Sequence, residues 1–117
     1  IICVIRLMVF LPQDAIIARE KLTQYLLIPL SKDDKSKFLA QAGYRLDTWK
    51  NLEQDLRSQV LTQAAERIET NRYGEKYAIR ASLQGTNEVV LNVLTIWMVK
   101  DGIARFVTLV PDKGVNP

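Results

Sequence analysis

The chain has 117 residues, 48% hydrophobic and 25% charged, with 16 Lys and Arg against 13 Asp and Glu and a net charge of +3. Such a composition fits one folded globular domain, argues against disorder, and permits contact with nucleic acid without demanding it. With no histidine and a single cysteine, Cys3, a protein-only zinc site, Ser-His-Asp or Cys-His catalysis and an internal disulfide are excluded, and a reducing cytoplasm is the expected compartment.

Ile1 to Leu11 is nearly all apolar, broken by Arg6. It is shorter than the roughly 20 residues a membrane-crossing helix needs, and neither a basic leader nor a small-residue cleavage pattern accompanies it. Residues 1–10 are expected to be either an apolar N-terminal extension, its residues 1–7 lying upstream of a start at Met8 or marking a fragment boundary, or an edge strand. Arg19 to Ile28 then carries Leu22, Tyr25, Leu26 and Ile28 at helical spacing, and Pro29 stops it. Ser31 or Asp33 is the expected N-cap of a second short helix through Ala42, with Gly43 in the left-handed C-cap position. A third and longest helix starts at Asp47 or Thr48. It presents Trp49, Leu52, Leu56, Val60 and Ala64 as one apolar stripe.

Near Tyr73 the apolar period changes from helical to alternating. Glu66 to Thr70 reads either as a first strand or as the frayed end of the third helix, and Asn71 to Gly74 reads as a turn. Tyr77, Ile79, Ala81 and Leu83 alternate with Ala78, Arg80 and Ser82, which predicts a half-buried strand. After a loop at Gly85–Asn87, the run Val89 to Val99 is apolar on both faces and predicts the central strand. Asp101-Gly102 predicts a type I′ hairpin turn, and Ile103 to Val110 returns until Pro111. The expected fold is α+β, with about three N-terminal helices packed on one face of a three- or four-stranded antiparallel sheet. The domain is expected over residues 11–111, with 112–117 as a loose tail.

A two-residue turn at Asp101-Gly102 fixes a register in which Thr95 faces Thr108, Trp97 faces Phe106 and Val99 faces Ala104. Leu94, Ile96 and Met98 then meet Leu109, Val107 and Arg105 on the other face. If the aliphatic face packs on the helices with Tyr77, Ile79 and Leu83, an open face gathers Lys76, Arg80, Ser82, Thr95, Trp97 and Thr108. A one-residue slip inverts that assignment. Cation, hydroxyls and an aromatic ring on an open sheet suit RNA, because Arg meets phosphate and Trp stacks a base. Plainer roles stand beside these: paired threonines stabilise a sheet without any function, Trp97 serves as core, and Arg80 is a solvated residue. The Lys32 to Lys37 run is either a solvated, capped first turn or a source of phosphate contacts from Lys35 and Lys37. Tyr73-Gly74 is either a braced turn or, with Tyr77, a source of proton transfer, which requires a pKa well below about 10.

Several segments, taken in order, carry a family resemblance. They are Lys21-Leu22-Thr23-Gln24-Tyr25-Leu26-Leu27, Asp34-Lys35-Ser36-Lys37-Phe38-Leu39, Ala42-Gly43-Tyr44, and Trp49 with Leu52. Tyr73-Gly74, Tyr77, Leu83-Gln84-Gly85, Thr95-Ile96-Trp97 and Thr108-Leu109-Val110-Pro111 continue it. From about Leu11 to Pro111 the chain resembles an uncharacterised bacterial domain family, a domain of unknown function. The family is found in short stand-alone proteins, many of them cyanobacterial, and at the C-termini of polymorphic-toxin and phage-associated proteins. The resemblance brings no established activity. Its contexts imply toxin–antitoxin or contact-dependent toxin systems, and the helices-then-sheet order is similar to the small ribonuclease group of barnase-like and RelE-like toxins. Family members often have Asn-Gly where this chain has Asn87-Glu88, which alters the geometry of that loop.

The leading functional expectation is a small cytoplasmic toxin-like protein that cleaves RNA by transesterification, without metal or cofactor. Lys37 and Arg80 would hold phosphate and stabilise the developing charge. Tyr77 or Tyr73 would move protons, Thr95 and Thr108 would position the nucleotide, and Lys35, Tyr73 and Trp97 would bind RNA. The alternative is a non-catalytic interaction module that docks a small antitoxin or immunity-type protein through its sheet or the sheet's edge. A homodimer using the same face is a third reading.

Overall fold

The computed structural model describes residues 9–32 and 34–112. The readings of residues 1–8 as an extension or edge strand, of Asp33 as a cap and of 113–117 as a tail lie outside the described residues. Helix α1 is Arg19–Lys21, continued as a π turn over Leu22–Leu26. Helix α2 is Ser36–Ala40. Helix α3 opens with a 3₁₀ turn at Leu46–Thr48, runs as α-helix over Trp49–Asp55 and closes as a π turn over Leu56–Val60. The strands β1 Glu66–Asn71, β2 Gly74–Gln84, β3 Val90–Lys100 and β4 Ile103–Pro111 follow. They form one antiparallel sheet in the order β1-β2-β3-β4. The fold is α+β, with the helical segments ahead of the sheet. The expected three regular helices are met only in part, since two end in π turns and α2 has five residues. Helices this short are marginal alone and depend on the face they bury. Here Leu22, Leu26, Leu39, Leu52, Leu56 and Val60 are all fully buried.

The caps show how these short pieces are held. After α2, Gly43 takes φ +85°. The Tyr44 N–H then donates to the Leu39 carbonyl at 3.2 Å and the Gly43 N–H to that of Ala40 at 3.0 Å, the paired closure of a Schellman end. The start of α2 differs from expectation. Asp34, not Ser31, accepts from the Ser36 hydroxyl at 2.7 Å and the Ser36 N–H at 3.2 Å. Ahead of α3, Thr48 accepts the Arg45 N–H at 2.9 Å from within the first turn.

The sheet's register decides what faces outward. Asp101 (φ +53°) and Gly102 (φ +78°) form the expected turn, and Trp97 pairs with Phe106 and Val99 with Ala104. Beyond Trp97, Val107 is an extra residue. That bulge pairs Ile96 with Thr108 and Thr95 with Leu109, so the predicted Thr95–Thr108 pair does not form. On β3, Leu91, Val93, Thr95 and Trp97 are buried, while Leu94, Ile96 and Met98 are half-buried. Thr95 sits opposite Ile79 and Trp97 opposite Tyr77. The predicted faces are therefore inverted on β3 and on β4 up to the bulge, where Trp97, Thr95, Phe106 and Ala104 face the helices and Leu94, Ile96 and Met98 face out; beyond the bulge Leu109 is buried and Thr108 faces out, as predicted.

The physical reason is a polar one. Burying an indole removes a large apolar area from water but strands an N–H unless an acceptor is at hand. The Trp97 Nε1–H donates to Thr95 Oγ1 at 2.8 Å, and the Thr95 hydroxyl donates to the Ile79 carbonyl at 3.1 Å. Phe106 meets the indole edge-on, with ring centres 5.2 Å apart. Replacing Thr95→Val keeps the shape and removes the acceptor, so it should lower the unfolding free energy by about 1–3 kcal/mol, while Thr95→Ser keeps most of it. Urea unfolding of the two variants checks this. Glu88 holds φ +70° in the β2–β3 loop, a conformation unfavourable for a side-chain-bearing residue. Glu88→Gly should raise the same free energy by roughly 0.5–1 kcal/mol, and a lowered midpoint would contradict that assignment.

Candidate functional site: the open face of the sheet

The helical segments bury their apolar stripes on one face of the sheet. The other face has β3 at its centre. Leu94 lies between Arg80 and Val110, Ile96 between Ala78 and Thr108, and Met98 between Lys76 and Arg105. An aliphatic strip on the central strand is thus bordered by cations from the strands on either side. Arg80 reaches across β3 to Asp112, Nη1 to Oδ1 at 2.6 Å, and Lys76 sits 3.5 Å from Glu69. Exposed pairs of this kind contribute little and exchange partners readily. Arg105 is exposed opposite Met98. The edge of β4 is partly covered: the Ile16 N–H donates to the Ala104 carbonyl and the Phe106 N–H to the Ile16 carbonyl, both at 2.8 Å. This leaves the face, rather than that stretch of edge, as the accessible surface.

The residues predicted for RNA cleavage fall in different places. Thr95 and Trp97 are 0% exposed in the core and offer no surface to a base. Tyr77 is half-buried on their side of the sheet. Arg80 lies on the outward face, whereas Lys37 is exposed on α2, on the helix side. Tyr73 is 59% exposed in the β1–β2 turn, where its hydroxyl accepts from Arg72 Nη2 at 2.8 Å. Lys35 and Thr108 do come together, through a residue that the sequence pattern assigns only to the apolar stripe of α1. Lys35 Nζ donates to Tyr25 Oη at 2.7 Å, and Thr108 Oγ1 lies 3.3 Å from the same oxygen. A cleft of about 460 Å³ opens beside them, walled by Ala18, Lys21 and Val107.

A second polar site has no forerunner in the sequence reading. Tyr44 is 1% exposed, and its hydroxyl is 2.6 Å from Asp55 Oδ2 and 3.1 Å from the Gln84 carbonyl. Burial first, and then the Asp55 carboxylate, push the Tyr44 hydroxyl far above the ordinary tyrosine range. The Gln59 amide brackets Gln84, accepting its N–H at 2.7 Å and donating to its carbonyl at 3.0 Å. Among the described residues no trio of Cys, Asp or Glu side chains is placed to hold a metal ion, and no helix is long and apolar enough to cross a membrane.

Comparison with known proteins fits this architecture into a family. The model of the family described as "Domain of unknown function (DUF6883)" matches residues 11–113, and the chain belongs to that family. No match is found among curated proteins or among solved structures.

The Tyr44 environment sets a pH dependence. Its hydroxyl is held protonated in the fold, so the stability it contributes is complete below about pH 10, the ordinary tyrosine value, and is lost as pH rises above it. Between about pH 10 and pH 12 the unfolding free energy should fall more steeply than in Tyr44→Phe, by up to about 1.4 kcal/mol per pH unit. Parallel curves from urea titrations across that range would contradict the assignment.

Proposed function

We propose that this domain is a non-catalytic interaction module that docks a small partner protein on the outward face of its sheet. The observation that carries this reading is the strip Leu94, Ile96 and Met98, half-buried on the outward side of the central strand. Large aliphatic side chains on an open antiparallel face have no structural need to be there, since polar residues serve that side equally well. Arg80, Lys76 and Arg105 around the strip favour a partner with an apolar centre and an acidic rim. A small antitoxin or immunity-type protein, of the kind the family resemblance implies, has the size and character such a face would accept. The ribonuclease reading draws no comparable support, because its proposed cations, hydroxyls and ring lie on opposite sides of the sheet.

A photo-crosslinking residue at Ile96 tests the proposal in the native cells, with the same residue at exposed Ser58 as control. The expected result is one discrete heavier adduct from Ile96 and none from Ser58, with the adduct reduced several-fold by Arg105→Glu. The purified protein alone should remain monomeric. An absent adduct, or one of twice the chain's own mass, would overturn the reading.

A further inference from the structure

We propose that the cleft between α3 and the β2–β3 loop is a binding site for a guanidinium group. It has a volume of about 480 Å³ and is lined by Asn51, Gln54, Asp55, Gln59 and Thr86 beside the Gln84–Gly85 backbone. Asn51, Gln54 and Asp55 are spaced i, i+3 and i+4 on α3, which places them on one side of the helix.

Asp55 is the group that defines the ligand. Its Oδ2 is held from the protein side by the buried Tyr44 hydroxyl at 2.6 Å. Its Oδ1 has no hydrogen-bond partner among the described residues, and Asp55 makes no ion pair among them. The carboxylate is therefore fixed in orientation while its charge is left uncompensated at the wall of a cleft. The other side chains named there are neutral amides and a hydroxyl, with no cation among the lining residues. An anionic ligand would meet repulsion without a counter-charge. No aromatic ring lines the cleft, so a sugar or nucleobase would find no stacking platform. What fits is a cation carrying several donors, and a planar guanidinium with five N–H groups matches a carboxylate held in one orientation among amide side chains better than a compact ammonium does. The walls are fixed too. Gln59 pins Gln84 through two hydrogen bonds. Gly85 packs so tightly on the Ala42 carbonyl that a Cβ would collide with it.

The chemistry is shared by free arginine-like metabolites and by an arginine side chain on a protein, and the experiment separates them. The full chain is titrated at low ionic strength with acetyl-arginine amide, and backbone amide shifts are followed by NMR. Saturable shifts are expected around Asp55, Gln84 and Thr86. Acetyl-citrulline amide, the neutral isostere, and acetyl-lysine amide should each bind at least about tenfold more weakly, as should acetyl-arginine amide to Asp55→Asn. Free arginine binding as tightly as the capped form assigns a metabolite. Preference for the capped form assigns a protein-borne arginine. Both results support the site. Equal binding of the citrulline or lysine analogue, or no saturable shift, overturns it, and these comparisons use the unaltered chain, so they hold even if Asp55→Asn fails to fold. Ile96→Glu, on the outward face, should leave this titration unchanged.

Discussion

The buried indole N–H of Trp97 is the constraint on which the sheet's orientation depends. An unpartnered donor in a core costs about 1–3 kcal/mol, a large share of what burying the ring contributes. Thr95, two residues away on the same side of the strand, removes that cost by accepting the indole and donating onward to the Ile79 carbonyl. Because strand side chains alternate, placing Trp97 and Thr95 against the helices sends Leu94, Ile96 and Met98 outward. The surface chemistry of the molecule is thus set from inside its core.

The bulge at Val107 adds a second consequence. Without the extra residue, β4 would keep one register along its length. With it, Leu109 enters the core opposite Thr95, while Thr108 lies within reach of Tyr25 on α1. The bulge therefore ties the first helix to the last strand through a hydroxyl pair and Lys35. On the other side of the molecule, the close approach of Gly85 to Ala42 brings the β2–β3 loop against the end of α2. Tyr44, which follows that helix end, is thereby aimed at Asp55 on α3. Two tyrosines, each in a helical segment or just beyond one, join distant parts of the chain and create the two polar clusters.

The elements themselves were legible in the sequence. The change of period, the Asp101-Gly102 turn, the Gly43 cap and the Leu52–Leu56–Val60 stripe each express a local rule, and the structure follows them. The choice of face was not legible. β3 is apolar on both sides, so alternation could not rank them, and what ranked them was a hydrogen bond between residues that pattern reading treats as surface candidates. The bulge left no signal, because Val107 has neither the glycine nor the turn chemistry that marks an irregular strand position. Asp34 and Asp33 are equivalent by propensity, and only the position of Ser36 selects Asp34. The sites depended on tertiary neighbours. Lys35 and Thr108 were singled out for separate reasons, and Tyr25, which joins them, had the spacing of a core residue. Tyr44 and Asp55 were invisible as a pair, because nothing in spacing brings a residue after a helix end to the polar side of the next helix.

The orientation of β3 is the claim from which the outward strip and its partner follow, and single-tryptophan fluorescence tests it directly. In Trp49→Phe the remaining indole is Trp97. Its emission should be strongly blue-shifted and nearly insensitive to acrylamide, as expected of a ring 0% exposed and hydrogen-bonded within the core. A red-shifted emission quenched as readily as that of a free tryptophan derivative would put Trp97 on the open face, return Leu94, Ile96 and Met98 to the helices, and contradict the account.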